Sequence, residues 1–280
     1  MGPEQAKAAC CAAPGIEELL SEQKKALDMF WASAGLDILG DDAMLQGLRF
    51  NLYHLFQSAG RDGLRNIAAK GLTGEGYEGH YFWDTEAYIL PVFTYTRPEL
   101  ARKLLEYRYS TLPAARARAR LLGHEGALFP WRTIDGEECS AYYPAGTAQY
   151  HIDGDIAHAV WEYFTVTDDM DFLARCGAEL LTETARFFCD LGFFSPEKGN
   201  RFVINCVTGP DEYNVLVDNN VYTNAVARET LLNAARALEL LRERCPSDFA
   251  RLTEALSIAA EEPDRWRMAG ERMYFPAARE

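Results

Sequence analysis

Residues 206–224 read Cys-Val-Thr-Gly-Pro-Asp-Glu-Tyr-Asn-Val-Leu-Val-Asp-Asn-Asn-Val-Tyr-Thr-Asn. A Gly-Pro pair stops regular structure, so Asp211 and Glu212 sit on an irregular connection at a helix mouth rather than on a solvated helix face. Carboxylates placed there can move protons. Taken alone, such a pair reads more often as an Asx turn and cap leading into the helix. Its company favours chemistry. Residues 71–86 carry four glycines into an aromatic and acidic cluster, and residues 126–140 and 142–155 again mix Trp, Tyr and Phe with carboxylates and amides. Aromatic faces pack on pyranose rings while carboxylates and amides bind hydroxyls, so loops of this make-up on a rigid scaffold suit sugar recognition.

The elements that must hold these loops read as helices. Ile156, Ala157, Val160, Trp161 and Phe164 repeat at helical spacing, as do Val226, Leu231, Ala234, Ala235, Leu238 and Leu241 within 221–244. Further helices are predicted over 16–34, 41–58, 84–96, 98–121, 169–191 and 248–269, and one short strand over 201–207. The sequence therefore predicts an all-α scaffold with its chemistry on interhelical loops.

Composition narrows the partners. A net charge of −14 across 280 residues opposes binding to phosphate backbones and to anionic membrane surfaces, so neither nucleic acid nor membrane is an expected partner. A neutral sugar is compatible with that balance. The seven cysteines have no Cys-x2-Cys spacing, so reduced thiols in the cytoplasm are expected rather than a zinc or disulfide framework.

Three runs in combination resemble the central catalytic domain of glycoside hydrolase family 65. They are Gly-His-Tyr-Phe-Trp-Asp-Thr-Glu at 79–86, Phe-Pro-Trp-Arg-Thr at 129–133 and Thr-Gly-Pro-Asp-Glu-Tyr at 208–213. That family comprises maltose, kojibiose, nigerose and trehalose phosphorylases with some disaccharide hydrolases. The resemblance covers roughly 15–276 and implies linker helices plus the first part of an (α/α)6 barrel. It divides the chain into a poorly ordered 1–14, linker helices and barrel entry over 15–60, and a partial catalytic domain over 61–280 whose C-terminal part is missing. Half a barrel would leave apolar helix faces bare, so an isolated fragment is expected to self-associate and to lack activity.

The resemblance also assigns roles. Glu212 is the implied general acid, protonating the glycosidic oxygen as the bond breaks, a task helped by surroundings that exclude water. Trp83 and Asp84 are implied in the glucose pocket, the indole as a wall and the carboxylate as acceptor for two hydroxyls. A core aromatic followed by an N-cap is the other reading of that dipeptide. Trp131 and Arg132 resemble a second sugar-facing pair, although Arg132 can equally act as scaffold by pairing with Glu137 or Asp84. Asp211, Tyr213, His151, Asp153 and Asp155 are candidates for contacts behind the residues that touch sugar. The family pattern favours Asn-Ala-Asp where this chain has Asp153-Gly154-Asp155. Asp153 and Asp155 offer only two oxygens and no nucleotide fingerprint accompanies them, so no metal is expected.

The implied activity is inverting phosphorolysis of α-glucosyl disaccharides, with inorganic phosphate as co-substrate and no cofactor. Full-length forms are expected to be capable of forming homodimers. Hydrolysis within the same family is the alternative chemistry, because it needs a second carboxylate and a water where phosphorolysis needs an anion pocket. A non-catalytic remnant that binds carbohydrate or a partner is the third reading.

Overall fold

The computed structural model describes residues 2–140 and 143–276. Tyr142 and the closing Ala-Ala-Arg-Glu at 277–280 lie outside the described residues. The chain divides into two compact units, Met1–Tyr53 and His54–Glu280. The first holds α1 (Pro3–Cys11), α2 (Ile16–Ala34) and the start of α3 (Asp42–Ser58). The 1–14 segment, expected to be poorly ordered, thus carries a helix, one that buries none of its residues.

The second unit is all-α apart from one short hairpin. Its helices are α4 (Leu90–Thr96), α5 (Pro98–Ser110), α6 (Leu112–Leu121), α7 (His151–Thr167), α8 (Met170–Phe172), α9 (Ala178–Leu191), α10 (Val221–Arg244), α11 (Pro246–Ala255) and α12 (Glu262–Glu271). No helix among the described residues is long and apolar enough to cross a membrane.

Two predicted helices are split. The 98–121 stretch breaks at Thr111, because Pro113 lacks the N–H and its ring opposes the carbonyl four residues back, so the chain restarts as α6 with Pro at its first turn. The 248–269 stretch breaks between α11 and α12, where Ser257 takes a left-handed φ of 49° and Pro263 begins the next helix. The predicted strand shrinks to β2 (Arg201–Val203), which pairs antiparallel with β1 (Phe193–Ser195), Phe194 opposite Phe202.

Helix α7 is the axis of the second unit and packs against α4, α5, α9 and α10. Ile156, Ala157, Val160 and Phe164 are buried as the periodicity predicts, while Trp161 is half-buried. The closeness of α7 and α10 explains Gly154: a Cβ there would lie 2.4 Å from Val226 Cγ2. The Val226 side chain occupies the space that an alanine methyl at position 154 would need.

Asp153, one position earlier, is fully buried. Its Oδ1 accepts from the Phe129 N–H at 2.8 Å, and its Oδ2 has no hydrogen-bond partner among the described residues. Burial pushes this carboxyl well above the usual carboxylate range. A raised folded-state value means that its contribution to stability is full below the ordinary Asp range and is lost as pH rises through the folded value. Asp153→Asn, which keeps the neutral shape, is expected to stabilise the chain by on the order of 1–3 kcal/mol near neutrality and by little at pH 4. Urea melts across that range check it, and a difference that does not grow with pH would overturn it.

Candidate active site

Four loops converge on one face of the second unit. Tyr81 and Thr133 exchange backbone hydrogen bonds of 2.7 and 3.2 Å, which ties the segment leading to Asp84 to the segment carrying Trp131. The indole of Trp131 then packs edge-on against Phe82 at 5.4 Å and against Tyr143 at 5.4 Å. Arg118 reaches from α6 to the carbonyls of Phe129 and Thr147 at 2.7 and 2.9 Å, fixing the second loop to the third. Thr208 donates its N–H to the Ala148 carbonyl at 3.0 Å and brings in the loop that carries Asp211 and Glu212.

Within that last loop Asp211 is a brace. Its carboxylate accepts from the Tyr213 N–H at 3.2 Å and the Asn214 amide at 3.0 Å, the Asx turn that the sequence offered as an alternative. The turn presses close to the start of α10, since a Cβ at Gly209 would lie 2.4 Å from Asn220 Nδ2. Asn220 caps α10 by accepting from the Thr223 N–H at 3.0 Å.

The loops enclose a cleft of about 670 Å3 lined by Lys70, Tyr77, Phe82, Trp83, Asp84, Trp131, Tyr143 and Glu212, among others. Four of the expected site residues, Trp83, Asp84, Trp131 and Glu212, therefore share one cavity. Asp84 stands at the first position of a helical stretch, a π turn over Thr85–Ile89 that runs on into α4. It makes no side-chain cap bond, and its exposed carboxylate has no hydrogen-bond partner among the described residues. The N-cap reading is thus not realised, and both oxygens are free to accept. Lys70 extends its ammonium over the Tyr77 ring at 5.6 Å on the same wall.

The other expected residues take different places. Among the described residues no ion pair joins Arg132 to Glu137 or to Asp84. Its guanidinium binds the Glu78 carboxylate and reaches His80 Nδ1 at 3.1 Å, clamping a loop in which Tyr77, Glu78 and Gly79 all have positive φ. Three consecutive left-handed residues, two with side chains, need such a clamp. Tyr213 is 98% exposed. Asp153 is directed at the Phe129 backbone rather than the cleft, whereas His151 stacks edge-on against Trp83 at 4.9 Å and pairs with Asp155 at 2.7 Å.

Glu212 does not have the water-excluding surroundings expected of it. Its carboxylate is exposed, and Gln149 Nε2 donates to Oε1 at 2.9 Å. Gln149 was not singled out in the sequence, nor was Glu138, whose carboxylate accepts the backbone N–H groups of Trp131 and Arg132 at 2.8 and 3.2 Å. Both lie within the loops that the sequence marks, but nothing local distinguishes them from their polar neighbours.

Residues 49–280 match the model of the glycosyl hydrolase family 65 central catalytic domain. The chain belongs to this family. Among its relatives are the α,α-trehalose phosphorylases of Thermoanaerobacter brockii, 54% identical over 95% of this chain and 34% of that protein, and of Geobacillus stearothermophilus, 56% identical over 93% and 34%. A solved structure ascribed to a kojibiose phosphorylase from the human microbiome superposes with a TM-score of 0.84 at 28% identity, covering 96% of this chain and 35% of that one. The chain spans about a third of the length of the curated relatives it matches. Family 65 membership accounts for the shared cleft: the three sequence runs that carry the resemblance supply Trp83 and Asp84, Trp131, and Glu212 to it.

Proposed function

We propose that this chain carries the glucose-binding and proton-donating part of an inverting phosphorylase acting on α-glucosyl disaccharides, with trehalose as the first substrate to test. The observation that carries the reading is a single cleft in which Asp84, a carboxylate with no hydrogen-bond partner among the described residues, and a loop carboxylate, Glu212, are joined by the rings of Trp83 and Trp131. The identity of 54–56% to trehalose phosphorylases, against 38% to the kojibiose phosphorylase of Thermoanaerobacter brockii, favours trehalose.

In this reading Asp84 accepts hydrogen bonds from hydroxyls of the glucosyl unit while the indoles wall it in. Glu212 gives its proton to the glycosidic oxygen as the C1–O bond breaks, and a phosphate oxygen attacks C1 from the opposite face. The products are β-glucose 1-phosphate and a free sugar. The seated disaccharide excludes the water to which Glu212 is otherwise open. The helices of the second unit form the first part of an (α/α)6 barrel, and the free cysteines accord with a cytoplasmic setting.

The test is an assay of the protein at the full length of its relatives, with trehalose and kojibiose, in the presence and absence of phosphate. Phosphate-dependent release of β-glucose 1-phosphate is the expected result. Glucose released at the same rate without phosphate would identify a hydrolase, and no turnover of any α-glucosyl disaccharide would overturn the reading.

A further inference from the structure

Behind Glu212 runs a chain of buried polar groups that the cleft alone does not explain. Gln149 Nε2 donates to Glu212 Oε1 at 2.9 Å, and Gln149 Oε1 faces His151 Nε2 at 3.1 Å. His151 Nδ1 meets Asp155 Oδ2 at 2.7 Å, and the Tyr222 hydroxyl donates to Asp155 Oδ1 at 2.6 Å. Gln149, His151 and Asp155 are at most 3% exposed. The imidazole is held between two rings, Trp83 at 4.9 Å and Tyr222 at 5.4 Å, both near perpendicular.

The Gln149 amide turns its NH2 to Glu212 and its carbonyl to His151 Nε2, and the second contact is a hydrogen bond when Nε2 carries the proton. Asp155 lies one helical turn beyond His151 on α7 and fixes the ring from its other nitrogen. No other side chain among the described residues hydrogen-bonds the Glu212 carboxylate.

We propose that Gln149, His151 and Asp155 form a positioning chain that selects which oxygen of Glu212 carries the transferable proton. The proposal rests on Glu212 being the acid. An N–H aimed at Oε1 needs a lone pair there, so the proton resides on Oε2. When that proton leaves, the amide bond becomes charge-assisted and strengthens as the carboxylate forms. An interaction that is stronger in the transition state than in the ground state raises kcat and leaves KM nearly unchanged. The arrangement also couples the acid to the sugar wall, because the ring that aligns Gln149 is the ring on which Trp83 rests.

The test is Gln149→Leu, which keeps the bulk and removes the amide, in the active full-length protein. Trehalose phosphorolysis is expected to lose about tenfold or more in kcat with KM changed by less than about threefold. With α-glucosyl fluoride, whose fluoride leaves without being protonated, the loss should stay under about threefold. Tyr222→Phe removes only the far hydroxyl from a partly exposed ring, tolerates folding, and should show the same substrate dependence more weakly. Equal losses on both substrates would mean a merely structural role and would overturn the proposal, as would an unchanged trehalose rate. If Glu212→Gln itself keeps the trehalose rate, the acid assignment fails; if it loses that rate while Gln149→Leu keeps it, the positioning chain alone fails. On the 280-residue chain, 15N NMR gives a readout free of turnover: the His151 Nε2–H should exchange slowly and lose that protection in Gln149→Leu, and a ring proton indifferent to the substitution would also overturn the proposal.

Discussion

Glu212→Gln is expected to lower phosphorolysis of the disaccharide by on the order of 100-fold or more, because general acid catalysis contributes 10²–10⁴-fold and the amide has no proton to give. The substitution preserves shape, and its carbonyl can still accept from Gln149 Nε2, so the loop should keep its place. α-Glucosyl fluoride should be turned over with a much smaller loss, since its leaving group does not need that proton. Steady-state kcat values for the two substrates in the full-length protein check this, and near-normal trehalose turnover by the variant would remove Glu212 from the mechanism.

Arg108→Met is expected to destabilise the protein by about 3–5 kcal/mol, as removing one partner of a buried ion pair strands the other charge. Arg108 Nε and Nη2 hold both oxygens of Glu86 at 2.8 and 2.7 Å, with both side chains at most 1% exposed. The same Nη2 donates to the Phe82 carbonyl at 3.3 Å, so this pair pins the segment from which Trp83 and Asp84 enter the cleft. Urea unfolding should show the loss, and Glu86→Gln combined with Arg108→Met should recover most of it because no charge then stays buried. A single variant within about 1 kcal/mol of the parent would mean that the guanidinium is dispensable to the fold.

The carboxylates that matter were legible because their neighbours are unusual. Gly209-Pro210 before Asp211 and Glu212, and the aromatic run before Asp84, are local features that break periodicity. The helices around them were legible for the opposite reason, since α7 and α10 bury faces whose spacing follows 3.6 residues per turn. The split of the 98–121 helix was readable too, from Pro113, though the periodic pattern across it overrode the proline. Strand β1 was not readable, because three residues carry too little pattern and its pairing depends on β2 across the turn.

What the sequence by itself determined is the helical class, the family, and a short set of polar and aromatic loop residues, four of which line one cleft. Tertiary structure alone decided their roles. Asp84 makes no cap bond, Asp211 is a brace, Arg132 clamps Glu78, and Gln149 is the residue that touches Glu212. Propensity and periodicity act over a few residues, whereas each of these roles is set by where a partner stands. Gln149 is 63 positions from Glu212 and Arg132 is 54 from Glu78, and at such separations only the packing of helices chooses which of several equivalent polar side chains come within 3 Å.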